Sequence, residues 1–172
     1  MEENCQFFGF GLLQKAVQQA LVVILVGCQF RTLDLGGLML SFHGVPVDCV
    51  YRPHNNPLMD YWILKKRSRF CKPVDRKKFR VLLRDLRQNH CVWYAPDQDF
   101  GKKAAVFVPF FGQTTATIVA TSKMVRLNNS PILMLSHHRN ADNSGYTMDF
   151  AEMPAFPSGE ETHNPEAVHL GV

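Results

Sequence analysis

The chain alternates between short apolar runs and longer amphipathic ones. Phe10, Leu13, Val17 and Ala20, with Gln and Lys between them, recur at the spacing of an amphipathic helix over residues 10–20. Residues 21–27 are β-branched and leucine-rich without alternation, which predicts a strand buried on both faces, as in a parallel sheet. Residues 32–41 predict a helix capped near Thr32; Gly36 and Gly37 weaken it but would let it pack closely on a sheet. A second strand follows at 47–51, and helices are predicted over 57–67 and 74–88. In the latter, Val74, Phe79, Leu82, Leu83 and Leu86 form an apolar stripe. Strands are read at 91–95 and 104–108, a Thr/Ala-rich helix at 114–127, and further strands at 131–135 and 145–150. After Pro154 the chain becomes a Pro/Gly/acidic tail without periodicity. The pattern predicts one α/β domain over residues 1–172, with a largely parallel central sheet flanked by helices and an irregular tail at 154–172.

Composition narrows the class. Of 172 residues, 46% are hydrophobic and 20% charged, which excludes wholesale disorder. The five cysteines are scattered, with no C-x-x-C pair, so neither a zinc cluster nor a disulfide framework is indicated, and no metal site is expected. The longest apolar run, Ala20–Gly27, is far short of the ~20 residues that span a bilayer. The net charge of +4 hides a segregation: residues 65–87 hold eleven Lys and Arg against Asp75 and Asp85 alone. Such a stretch suits an anionic partner, or else a solvated helix face. A nucleic-acid partner is not expected, because the basic stretch carries no recognisable motif or aromatic stacking platform.

In sheets of this kind ligands bind beyond the carboxyl ends of the strands. Three polar segments leave predicted strands there: residues 27–34, 51–57 and 94–101. Each also has a plain structural reading. Asn55-Asn56-Pro57 and Pro96-Asp97 are turn sequences, Asp34 suits a helix N-terminus, and Arg52 could be a salt-bridge partner.

These segments resemble a known family. Tyr51-Arg52-Pro53-His54-Asn55-Asn56-Pro57-Leu58 is similar to the second conserved block of the late lipid A acyltransferases, the lauroyl and myristoyl transferases of lipopolysaccharide synthesis. Trp93-Tyr94-Ala95-Pro96-Asp97-Gln98-Asp99-Phe100-Gly101 resembles the third, continued by Phe107-Val108-Pro109-Phe110-Phe111-Gly112, and Pro157-Ser158-Gly159 resembles a segment near the end of the fold. The resemblance runs from about residue 10 to about residue 168. It implies a glycerolipid-acyltransferase-like fold. It also implies transfer of a fatty acyl chain from an acyl-carrier-protein thioester to a lipid A precursor, with no cofactor, at the cytoplasmic face of the bacterial inner membrane. The partners expected are acyl-carrier protein, the lipid A precursor and the anionic inner-membrane surface. The family's N-terminal membrane helix and C-terminal Arg-rich region have no counterpart here, so a truncated, peripheral form is expected.

The family's first block reads Gly-x-His-Phe-x-x-Leu-Asp/Glu-Leu-Gly. Here it is Gly27-Cys28-Gln29-Phe30-Arg31-Thr32-Leu33-Asp34-Leu35-Gly36, with Gln29 in the histidine slot and Asp34 as the acid. The histidine is the general base on the acceptor hydroxyl and the acid orients it; glutamine can hydrogen-bond but cannot take a proton near neutral pH. The resemblance therefore implies an acyltransferase with impaired catalysis, or a non-catalytic remnant that binds anionic lipid or carrier protein. Arg52 is expected to contact a phosphate or the thioester carbonyl. Asn55 and Asn56 would shape the substrate loop, while Asp97 and Asp99 would fix theirs through turn hydrogen bonds and pairing with a base such as Arg76. A literal His-x4-Asp at His43 and Asp48 is read as a decoy, because Asp48 opens a strand instead of following one.

Overall fold

A computed structural model of the chain describes residues 5–19, 23–28, 33–86, 88, 90–96, 105–128 and 130–153. Its elements are β1 (Cys5–Phe8), α1 (Phe10–Gln18), β2 (Ile24–Gly27), α2 (Leu33–Phe42), β3 (Val47–Tyr51), α3 (Pro57–Arg67) and β4 (Lys72–Asp75). They continue with α4 (Phe79–Leu86), β5 (Cys91–Tyr94), β6 (Ala105–Phe110), β7 (Gln113–Ile118), α5 (Ala120–Asn128), β8 (Ile132–Arg139) and β9 (Tyr146–Glu152).

Seven strands form one sheet in the order β1-β9-β8-β2-β5-β3-β4. β8, β2, β5, β3 and β4 are mutually parallel; β9 runs antiparallel to β8, and β1 is parallel to β9. The central strand β2 is buried along its length, because helices cover both faces. Leu25, Trp93, Leu133 and Leu135 face one layer and pack with Leu13 of α1 and Met39 and Leu40 of α2. Ile24, Val26, Val92 and Tyr94 face the other, with Leu82 of α4 and Met124 and Val125 of α5. The period-2 alternation of side chains thus feeds two separate cores.

The two glycines of α2 are packing positions, as the sequence suggests. A Cβ on Gly37 would lie 2.7 Å from the Phe70 ring and 3.3 Å from Trp93, and one on Gly36 would lie 3.0 Å from Trp93. The helix therefore rests directly on the Trp93 indole. Three sequence expectations are corrected. Residues 114–127 are not one helix: Gln113–Ile118 pair antiparallel with β6 as a separate hairpin, and only Ala120–Asn128 are helical. The helix predicted at 74–88 begins at Phe79, because Lys72–Asp75 form an edge strand beside β3. Cys5–Phe8 form the opposite edge strand, which the pattern did not predict.

At the amino end of β3 lies a buried polar cluster. Asp48 and Asp85 are 0% and 1% exposed. Asp48 is bonded to His90 Nδ1 at 2.8 Å, and Asp85 accepts from Lys72 Nζ at 2.6 Å and from Arg84. Burial pushes the Asp48 carboxyl above the usual range, against the His90 hydrogen bond. Burial acts on Asp85 in the same direction but is outweighed by Lys72, Asp48 and Arg84, which hold that carboxyl below the usual range. His43 stands apart from Asp48, its ring packed on Phe7 and Phe10 at 4.4 and 4.7 Å between centroids. The His43–Asp48 spacing is thus satisfied by two unrelated structural contacts.

Candidate active site

A cavity of about 180 Å³ opens at the carboxyl ends of β3 and β5. That is below the ~300–1,000 Å³ of a typical ligand pocket. Its polar wall comes from three elements. Asp34 stands in the first turn of α2, Tyr51 and Arg52 end β3, and Arg67 closes α3; His54 and the Trp93 indole complete it. β2, whose exit carries the segment from 28 to 32, pairs with β5 beside the cavity.

Arg67 Nε donates to Asp34 Oδ1 at 2.7 Å, and the Arg67 side chain is 20% exposed. The bond engages one oxygen of a carboxylate whose side chain is 65% exposed. Two guanidiniums face one carboxylate in the wall, so its electrostatics favour an anion or an electron-rich carbonyl oxygen.

The loop into α3 is built by local hydrogen bonds. Asn56 caps the helix, its side-chain oxygen accepting from Leu58 N–H at 2.9 Å and Met59 N–H at 3.3 Å, with Pro57 at the first helical position. The backbone N–H of His54 donates to Asp60 Oδ1 at 2.8 Å, and Asn56 N–H donates to His54 Nδ1 at 3.1 Å. The last bond occupies the Nδ1 lone pair, so the neutral ring carries its proton on Nε2. The ring lines the cavity and in its neutral form offers Nε2–H as a donor.

Two further groups in the wall are neutral. Its hydrogen bond with Cys71 and its burial push the Cys49 thiol well above its ordinary value, which removes it as a nucleophile. Burial, with Asp60 and Asp75, raises the Tyr51 phenol. Trp93 Nε1–H is buried without an acceptor among the described residues.

Of the residues singled out from sequence, Asp34 and Arg52 share this cavity. Asn55 and Asn56 are exposed in the α3 entry loop and do not line it. Arg76 follows β4, its backbone N–H donating to the Tyr51 carbonyl at 3.0 Å, one strand outward from the cavity wall. Gln29, Asp97 and Asp99 lie outside the described residues. Arg67 and His54 are additions. Arg67 was read as one more cation of the basic run, but helical phase separates it. Asp60, Ile63, Leu64 and Arg67 fall on one face of α3, whereas Lys65 and Lys66 fall on the other. Among the described residues no cluster of three or more His, Cys, Asp or Glu is placed to hold a metal ion.

The sequence profile of bacterial lipid A biosynthesis acyltransferases matches residues 2–166. The chain belongs to that family. It is 39% identical over 132 residues to a lipid A biosynthesis acyltransferase of Haemophilus influenzae, covering 75% of this chain and 42% of the relative. It is 36% identical over 155 residues to the lipid A biosynthesis palmitoleoyltransferase of Escherichia coli, covering 88% and 50%. With the lauroyltransferase of the same organism it shares 34% over 128 residues, covering 73% and 42%. The chain thus spans half or less of the length of these curated relatives. No helix among its described residues is long and apolar enough to cross a membrane.

Proposed function

We propose that this domain carries the reacting centre of a lipid A acyltransferase, which moves a fatty acyl chain from an acyl-carrier-protein thioester to a hydroxyl of a lipid A precursor at the anionic inner-membrane surface. The observation that carries this reading is that Asp34 and Arg52, supplied by two separate family motifs, line one cavity at the carboxyl ends of the parallel strands. In the reaction the acceptor oxygen attacks the thioester carbon, its proton passes to a base, and the carbon–sulfur bond breaks to release the carrier thiol. The base belongs at position 29, at the exit of β2. Asp34, held by Arg67, orients it and stabilises its charged form. Arg52 and the Nε2–H of His54 are donors for the thioester carbonyl or an acceptor phosphate. Asn55, Asn56 and Arg76 support the loops around the cavity, and Asp97 and Asp99 fix the segment after β5. No cofactor takes part.

With Gln29 in the histidine slot the proton has no acceptor, and transfer by the chain as written is slowed by about 10²–10⁴-fold. The Gln29 departure also favours a second reading, in which the cavity binds the same ligands without turnover. Mass spectrometry of a lipid A precursor separates them, after incubation with acyl-carrier protein and a chimera in which residues 2–166 replace the matching region of the E. coli palmitoleoyltransferase. Transfer predicts a product heavier by one acyl chain once Gln29→His is introduced. Retained binding with no such product, whichever residue stands at 29, selects the binding reading.

A further inference from the structure

Helix α3 is oriented against the usual rule for a surface helix. Its inward face is Asp60, Ile63, Leu64 and Arg67, and none of its residues is fully buried. Its outward face holds Leu58, Met59, Tyr61 and Trp62, at 64%, 47%, 56% and 49% exposure, followed by Lys65 and Lys66. At 100° per residue these six span roughly 160° of the helix surface. Nothing in the fold requires four large apolar side chains to face outward; Asn56 and Pro57 already supply the helix start. A contiguous exposed apolar patch rimmed by charge marks an interaction surface.

The residue types on this face say what kind of surface it meets. The apolar residues occupy the first half of the helix and the lysines the last turn, roughly 10 Å further on at 1.5 Å per residue. Lys65 Nζ lies 5.6 Å from the centroids of both the Tyr61 and the Trp62 rings, a cation–π contact with each. Apolar side chains with Trp, Tyr and Lys on one face are the composition of an interfacial helix, which lies in the plane of the bilayer with that face sunk ~5–10 Å and its lysines reaching headgroup phosphates. An acidic carrier protein would call for cations spread across the face and offers no partner for the apolar half.

We propose that the outward face of α3 seats the domain on an anionic bilayer, with Leu58, Met59 and Trp62 at the headgroup–acyl boundary and Lys65 and Lys66 on lipid phosphates. This rests on the membrane-surface reading above and gives it a location. The opposite face of the same helix supplies Ile63 and Arg67 to the cavity, so docking sets that cavity at the level of a lipid's headgroup.

The chain has two tryptophans, and Trp93 is buried at 4% exposure, which makes Trp62 a natural reporter. Fluorescence of the full 172-residue chain is recorded with phosphatidylglycerol-containing vesicles, with neutral vesicles, and with acyl-carrier protein. The expected result is a blue-shifted Trp62 emission quenched by brominated acyl chains on anionic vesicles only, and absent in Trp62→Phe. Leu58→Ser with Met59→Ser, both at exposed sites, lowers vesicle partitioning about tenfold or more. Lys65→Gln and Lys66→Gln each lower it about fivefold at low salt. Co-sedimentation with anionic vesicles while Trp62 stays in water overturns the α3 assignment and leaves the membrane reading standing. No co-sedimentation at low salt overturns both. A Trp62 response to carrier protein but not to vesicles assigns the face to protein docking instead.

Discussion

Three glycines, two just after β1 and one just before β3, respond differently to the same substitution, and the differences follow from geometry. Gly9 caps α1 at φ +68°, and a Cβ there would lie 2.1 Å from the carbonyl oxygen of Phe150. Gly44 has nearly the same φ, +69°, with nothing within 4 Å of its Cβ position. Gly11 is exposed inside α1 at ordinary helical φ, also with open space around it. Alanine in the left-handed region costs about 1–2 kcal/mol, and it recovers about 0.4–1 kcal/mol by restricting the unfolded chain. Gly44→Ala should therefore cost about 0–1.6 kcal/mol. Gly9→Ala adds a clash with backbone that cannot rotate away, at about 1–3 kcal/mol for overpacking, for a total of about 1–4.6 kcal/mol. Gly11→Ala gains about 0.5–1 kcal/mol of helix stability. For a chain of this size 1 kcal/mol moves Tm by about 2–4 °C, so thermal melts should show Gly9→Ala down by roughly 2–18 °C, Gly44→Ala down by less, about 0–6 °C, and Gly11→Ala up by a few degrees. A Gly9→Ala melt no lower than that of Gly44→Ala would refute the close packing of the β1–α1 turn on β9, and with it the edge of the sheet described here.

Asp85, with its carboxyl held low, contributes stability that is present above pH ~4 and lost as pH falls through its folded value, whereas Asp48, with its carboxyl raised, contributes most below pH ~4 and loses it as pH rises. Urea midpoints against pH should fall on the acid side, and Asp85→Asn should flatten that limb; an unchanged acid limb would contradict the cluster. Phe111 and Gly112 form the hairpin turn with φ +48° and +77°, where asparagine is favoured in the first place, and Phe111 is 93% exposed. Phe111→Asn should raise stability by about 1 kcal/mol in urea denaturation, and a loss would mean that the ring packs against the fold. Arg67→Ala, in a chimera that also carries Gln29→His, should lower turnover about tenfold or more by freeing Asp34, with Arg67→Lys recovering only part because a single ammonium replaces the planar fork; equal rates would remove Arg67 from the site.

Much of the central sheet was legible because its strands are buried on both faces and read as unbroken apolar runs. The edges were not. Lys72-Pro73-Val74-Asp75 pairs with β3 alone, and an edge strand tolerates proline and charge that a central one does not. Residues 114–118 were read as helix from their Thr and Ala content, yet their β-branched residues meet β6 across a turn set by Phe111 and Gly112, and that hairpin pairing decides the state. In the site, Asp34 and Arg52 lie in segments that the strand-end rule marked, and the family resemblance assigned their roles. Arg67 was hidden in a run of eleven cations, where charge alone does not distinguish it from Lys65 and Lys66; its helical phase does. His54 sat inside a recognised motif, but its donor role depends on which neighbour bonds its Nδ1, and no spacing encodes that.

The central claim is that position 29 is the base slot of an acyl-transfer site whose acid is Asp34. The most direct measurement is the rate of acyl transfer from acyl-carrier protein to a lipid A precursor by the chimera, with the native Gln29 and with Gln29→His, each with and without Asp34→Ala. The account predicts that Gln29→His accelerates transfer about 10²–10⁴-fold, and that most of this gain disappears when Asp34→Ala is also present. Equal turnover by the Gln29 and Gln29→His forms would contradict it.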